Sequence, residues 1–223
     1  FSNLMSSLNK ANFKCPAPVI NNNNSTITNF NGKKLMIVSF LEGKAKSNLS
    51  PENCKVIGIE TAKMHELTKN LKIKRHNDLS VNSWRGLFDA VKDQCSTLHK
   101  DLPKLIEESL NSVEKKWPKD LPKGIIHADL FRDNIFFNKN KISGIIDFYF
   151  SCEDFFAFEI AICFNALCFD GAKENLSFNV TKAKNFIDGY SSVRKLSDPE
   201  KQSIKVLSQG AALRFLLTRV FDA

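Results

Sequence analysis

The apolar positions of this chain change period several times, and each change predicts an element. Phe1, Leu4, Met5 and Leu8 recur at helical spacing and predict a short helix over residues 1–10. Cys15-Pro16-Ala17-Pro18 then forces an extended segment, because the residue before a proline is driven out of the helical region. Residues 25–30 and 33–40 flank Asn31-Gly32. An Asn-Gly pair between apolar runs predicts a hairpin, since both residues accept the positive φ that a two-residue turn needs. The chain is expected to change direction at Leu41-Glu42-Gly43.

From there the period is helical. Ser50-Pro51-Glu52 reads as an N-cap, a proline at the first helical position and an acid in the first turn. Cys54, Ile57, Thr61, Met64 or His65, and Thr68 or Leu71 make one face of that helix. Trp84, Leu87, Phe88, Val91, Cys95 and Leu98 mark a second. Leu102, Leu105, Ile106, Ser109, Leu110, Val113 and Trp117 mark a third, stopped by Pro118. Ile135 to Phe137 and Lys141 to Ile146 are joined across Asn138-Lys139-Asn140 and predict a small hairpin. Residues 155–169 are apolar nearly all round, as expected of a central buried helix. Val180, Ala183, Phe186, Ile187 and Tyr190 predict another amphipathic helix. Ser197-Asp198-Pro199-Glu200 opens the last one, which runs through Gly210 to Arg219.

Composition narrows the class. With 223 residues and 43% hydrophobic content, one large or two small domains can bury a core; 19 phenylalanines supply much of it. The net charge of +8 comes from 32 Lys and Arg against 24 Asp and Glu. The lysines are scattered, with no Arg-rich tract and no zinc-finger spacing, so the charge reads as a solvated surface rather than a nucleic-acid face. The six cysteines include no C-x-x-C pair and several lie in apolar runs, as expected of buried free thiols in a reducing compartment. No run is long enough to span a bilayer, and no basic n-region with an apolar h-region opens the chain, so a cytoplasmic protein without membrane partners is expected.

The candidate chemistry lies in residues 124–147. Two short apolar runs each deliver a polar residue at an edge: the first ends in His127-Ala128-Asp129, the second in Asp147. Asn134 opens a third run between them. Phosphoryl transfer needs a group to take or orient the acceptor hydroxyl proton and oxygen ligands for Mg²⁺, which completes its shell with water and substrate phosphates. Asp129, Asn134 and Asp147 supply those groups if they converge. His127 is expected to be a buried hydrogen-bonding residue, because Ile125-Ile126 carries it into the core.

The string His-x-Asp-x₄-Asn followed by Asp-Phe resembles the catalytic core of protein-kinase-like folds. Ala128 in place of Arg and the short interval from Asn134 to Asp147 resemble the aminoglycoside phosphotransferase and choline kinase branch. The strings Ile125-Ile126-His127-Ala128-Asp129-Leu130-Phe131, Ile145-Ile146-Asp147-Phe148-Tyr149-Phe150 and Gly210-Ala211-Ala212-Leu213-Arg214-Phe215-Leu216-Leu217-Thr218-Arg219 are similar to those of homoserine kinases of that branch. So are Phe40-Leu41-Glu42-Gly43, Ile57-Gly58 and Ala62-Lys63-Met64-His65.

The resemblance implies an α+β, protein-kinase-like fold of the aminoglycoside phosphotransferase type. A partial small β lobe would occupy 1–41 and a mainly helical catalytic lobe 42–223. It implies ATP and Mg²⁺ as cofactors, with Asp129 as base and Asn134 and Asp147 as metal ligands. Phe40, Leu41, Glu42 and Gly43 would form the hinge against adenine, and His127 and Glu159 would support the catalytic loop. Glu159 stands where the branch has Asp, so the same carboxylate reaches further. The implied acceptor is the hydroxyl of L-homoserine, a small zwitterion, for which Asp154 and Arg214 are the candidate binding residues. An amino-alcohol or aminoglycoside acceptor, or an inactive pseudokinase, are the alternatives. No glycine-rich phosphate loop or ATP-binding Lys is found upstream of the first helix. The chain is therefore expected to be a fragment lacking the start of the small lobe and the end of the large one, and to turn over weakly alone.

Overall fold

The computed structural model describes residues 1–172 and 175–223. Its elements follow in the order α1 (Ser2–Lys10), β1 (Thr28–Phe30), β2 (Lys33–Leu35), β3 (Lys44–Ala45), α2 (Pro51–Thr68), α3 (Val81–Leu98), α4 (Leu102–Lys116) and β4 (Lys123–Ile126). Then come β5 (Ile135–Asn138), β6 (Lys141–Ile145), β7 (Cys152–Phe155), α5 (Phe156–Leu167), β8 (Phe169–Asp170), β9 (Ser177–Phe178), α6 (Val180–Ser191) and α7 (Asp198–Phe221). The architecture is α+β, with a small β-rich part and a mainly helical part.

The Asn31-Gly32 hairpin is present, but it is short. β1 and β2 pair antiparallel from Thr28 opposite Leu35 to Phe30 opposite Lys33, with Asn31 at φ 49° and Gly32 at φ 75°. The expected second strand does not continue unbroken to residue 40. Beyond Leu35 the chain changes partner: Pro18 bridges Val38, Val19 N–H donates to Ile37 O and Ser39 N–H to Ala17 O. The proline-flanked segment is thus itself a strand partner, which its missing N–H groups at Pro16 and Pro18 concealed.

Three antiparallel strands, β3-β5-β6, carry the embedded hairpin, with Lys44 opposite Phe137 and Ile135 opposite Ile145. β4 pairs with β7, Ile126 opposite Cys152. The sequence pattern missed β3, β7, β8 and β9. β7 reads Cys-Glu-Asp-Phe, too polar for an apolar-run criterion, and its pairing shifts the start of α5 to Phe156.

The helices follow their patterns. Ser50 caps α2 and Ser197 caps α7, each in a reciprocal capping box, with Asn53 and Glu200 returning to the cap N–H. α5 buries Phe156 to Cys163 continuously, as a helix apolar on every side must. Leu98, Leu105 and Val180, expected on buried faces, are exposed; each lies at the first or last turn of its helix, where neighbours no longer cover it. α2 and α6 approach closely at two glycines. A Cβ on Gly58 would collide with the carbonyl of Phe186, and one on Gly189 with that of Lys55.

Two apolar cores result. One joins α1, α2, α6 and the β5–β6 hairpin around Ile57, Leu130, Ile145 and Phe186. The other joins α3, α4, α5 and α7 around Trp84, Leu110, Phe158 and Leu217. Ile125 belongs to the first and Ile126 to the second, so β4 and the loop that follows it are gripped from both sides. All six cysteines are free and buried. Among the described residues, no helix is long and apolar enough to cross a membrane.

Candidate active site

β4 ends at Ile126, and His127, Ala128 and Asp129 follow in the loop between the two cores. Ala128 is fully buried and holds φ at 65°, a left-handed conformation that costs a residue with a Cβ of order 1 kcal/mol. The surroundings over-determine it. The Glu159 carboxylate, itself buried on α5, accepts the backbone N–H of His127 and that of Ala128 (3.2 Å). The Arg214 guanidinium on α7 donates to the Ala128 carbonyl. Two charged side chains from two helices therefore hold one peptide turn from both ends.

His127 is buried, and its Nε2 bonds Ile146 O at 2.8 Å. That bond ties the loop to the residue before Asp147. Ile146 N–H in turn donates to Asn134 O at 3.0 Å, and Asn134 Nδ2 donates to Asp129 O at 2.8 Å and to Asp129 Oδ2 at 3.3 Å. Hydrogen bonds thus join Asp129 and Asn134 to Ile146, the residue before Asp147. Asp147 sits at φ 61°, the turn that ends the β6 run and begins a 3₁₀ turn over Phe148–Phe150.

The electrostatics differ among the carboxylates. Burial pushes the Asp129 carboxyl above its ordinary value, with His127 and Arg214 pulling it back and Asp147 and Asp133 adding to the rise. A more basic carboxylate is a better proton acceptor. Glu159 goes the other way: burial raises it, but hydrogen bonds and the neighbouring histidines outweigh that and hold it below its ordinary value. His65, buried on α2, is lowered by burial; its Nδ1 bonds Tyr190 Oη at 2.7 Å and its Nε2 lies 3.9 Å from Glu159, an electrostatic contact.

Two cavities meet the loop. One, about 480 Å³, is lined mostly by apolar side chains, among them Met36, Val38, Phe40, Leu41, Ile146 and Phe148, with Asp147 at its edge. The other, about 520 Å³, is lined by Asp129, Phe131, Asp133, Arg214, Phe215 and Arg219, with others. Of the four expected hinge residues, Phe40 (87% exposed) and Leu41 line the first cavity, and Glu42 and Gly43 do not. Gly43, at φ 117°, is instead packed against β5 and β6; a Cβ there would collide with Ser143 and the Phe137 carbonyl.

Asp154 and Arg214 do not share a cavity. Asp154 opens on a third one, of about 750 Å³, accepts from Asn77 Nδ2 at 2.5 Å and its carboxyl is raised chiefly by burial. It does not cap α5; its carboxylate bonds the N–H of Phe155, its own neighbour, at 2.7 Å. Arg214 is buried rather than spread over the surface of its helix.

For a divalent cation, the donor chemistry fits. Asn134 turns its NH₂ towards Asp129, which leaves Oδ1 without a protein donor, and the Asp147 carboxylate makes no hydrogen bond or ion pair with the described residues. A hard cation takes such oxygens. The sequence did not single out Arg132 or Arg219 as functional. Arg132 joins the loop to three carbonyls, of Ser47, Ala166 and Phe169, at 2.9 to 3.2 Å. Phe215 and Arg219 stand four apart on one helix, an aromatic–cation spacing that would have flagged them.

Comparison with known proteins gives the family. The phosphotransferase enzyme family matches residues 1–195. The homoserine kinase of Afipia carboxidovorans is 44% identical over 222 residues, covering all of this chain and 67% of the relative. The chain belongs to the homoserine kinase group of the phosphotransferase enzyme family. Solved structures extend the fold of that family: an amicoumacin kinase superposes with a TM-score of 0.72 at 15% identity, covering 99% of this chain and 68% of the other. The choline kinase of Cryptosporidium parvum superposes at 0.68 and 17% identity, covering 98% and 70%. This chain thus shares its overall fold with far more distant kinases.

Proposed function

We propose that this chain phosphorylates the hydroxyl of L-homoserine from ATP, giving O-phospho-L-homoserine, a step of threonine biosynthesis. The observation that carries the reading is the placement of the two acids. Asp147 edges an apolar cleft suited to a nucleoside, Asp129 edges a charged cavity suited to a small zwitterion, and hydrogen bonds through His127, Ile146 and Asn134 join them. The identity to homoserine kinases over the whole chain supports the same acceptor.

In this reading the Asp129 carboxylate, made more basic by burial, takes the proton of the acceptor hydroxyl as its oxygen attacks the terminal phosphorus of ATP. Asn134 holds that carboxylate in place and, with Asp147, offers oxygens to Mg²⁺, which when bound neutralises charge on the phosphates. Glu159, His127 and Arg214 keep the loop in its left-handed turn. Phe40 and Leu41 lie against the base, while Gly43 packs the hinge against the hairpin. Residues 1–41 belong to the small lobe and 42–223 to the large one, with the hinge as boundary.

The test is ADP production with Mg-ATP and a panel of L-homoserine, choline, L-serine and an aminoglycoside. Turnover is expected with homoserine, falling by roughly 100-fold or more in Asp129→Asn, the range removed with a general base. Turnover with another acceptor only would overturn the substrate assignment.

A further inference from the structure

The cavity beside Asp129 contains two arginines in different circumstances. Arg214 is buried, with Nη1 committed to the Ala128 carbonyl and Nε without a partner. Arg219, one turn further along α7, is exposed, and no described carboxylate lies within ion-pair distance of it. It is nevertheless held. Its guanidinium lies 5.6 Å from the Phe131 ring and 5.9 Å from the Phe215 ring, and those rings meet edge to face at 4.8 Å. Arg214 lies over the same Phe215 ring at 4.4 Å. Aromatic faces orient a cation without neutralising it, so the Arg219 charge is available to a ligand.

Phe131 is the second residue after Asp129, so the ring that orients Arg219 belongs to the catalytic loop itself. A ligand on Arg219 is therefore registered against the base. A guanidinium presents paired N–H donors that match a carboxylate. Asp133 and Asp222 line the same cavity and carry the sign an ammonium needs.

We propose that Arg219 is the carboxylate anchor of an amino-acid acceptor, and the residue by which this cavity prefers an alcohol bearing a carboxylate to a purely cationic one. The inference rests on the homoserine reading above and deepens it. It assigns to the exposed Arg219 the contact first sought at Arg214, which is buried and holds the Ala128 carbonyl through Nη1.

The test is calorimetric titration of the 223-residue chain with L-homoserine, its neutral-carboxamide analogue L-homoserinamide, and choline. The unchanged chain, Arg219→Gln and Arg219→Lys are compared, each checked for an unchanged melting curve. The unchanged chain is expected to bind the acid about tenfold tighter than the amide, the scale of one charge-assisted hydrogen-bond pair in a partly exposed site. Arg219→Gln should lose about that factor for the acid and none for the amide; Arg219→Lys should recover part, keeping the charge without the planar fork. An unchanged chain that does not distinguish acid from amide overturns the anchor. So does an Arg219→Gln variant that melts normally and keeps the preference. A chain that binds choline and ignores homoserine overturns instead the acceptor reading on which the anchor rests.

Discussion

At the scale of single residues, the proposed mechanism separates groups that would react from groups that hold them. Asp129 has a pKa raised by burial, and a base acts only when ionised. The acid limb of kcat/KM is therefore expected above the ordinary aspartate range of about 4. Arg214→Gln removes a cation that favours the ionised form and should move the limb higher still; a limb at the ordinary value in both proteins would contradict this. Glu159 is lowered in the folded protein, so its contribution to stability is present above about pH 4 and is lost as pH falls through its folded pKa. Glu159→Ala leaves two buried N–H groups without acceptors and should cost about 3 kcal/mol at neutral pH. Denaturant unfolding across pH should show that loss shrinking towards acid, where the unchanged protein weakens anyway.

At the scale of elements, the close pair α2 and α6 offers the clearest test. Gly58 meets the Phe186 carbonyl and Gly189 meets that of Lys55, backbone against backbone, so no side chain can move aside. Gly58→Ala should destabilise by about 2 kcal/mol, the usual cost of overpacking, and more than its gain in helix propensity returns. A denaturation midpoint equal to or above that of the unchanged chain would show that the helices can separate freely. Most elements were legible because their signals are local. Ser50 and Ser197 with their capping partners, the Asn-Gly turn and the period of Trp84, Phe88, Val91 and Cys95 are all read within a few residues. β3 and β7 were not, since two or four residues carry no period and exist only through partners about 90 and 30 residues away in sequence. The same division holds in the site. His127, Asp129, Asn134 and Asp147 lie within one short stretch, whereas the cavity walls come from α7 and from the loop before α3, and no spacing rule joins those to Asp129.

At the scale of the whole molecule, the two cavities are unequally equipped. The charged cavity beside Asp129 has cations and anions facing it. The apolar cleft beside Asp147 is lined, among the described residues, by no Lys or Arg side chain. Lys46 is turned to Asn140 at 3.1 Å and to the Phe137 ring, and Lys14 is bonded to the Ile142 carbonyl. A nucleoside can stack in that cleft, but the carboxylate that lines it, Asp147, attracts a triphosphate only through a shared cation. Adenosine and Mg-ATP should therefore bind the 223-residue chain with similar, weak affinity, and ATP without Mg²⁺ should bind no tighter than adenosine. A lysine facing the phosphates would make ATP the tighter ligand by a clear margin, since charge-assisted contacts to phosphate are among the strongest available. Titrating the chain with adenosine, ATP and Mg-ATP decides the matter: a kinase-like preference for ATP without metal would mean that a cation outside the cleft lining reaches the phosphates. Parallel, modest affinities would mean that the chain supplies the base, the metal oxygens and the acceptor cavity, with phosphate recognition resting on the metal.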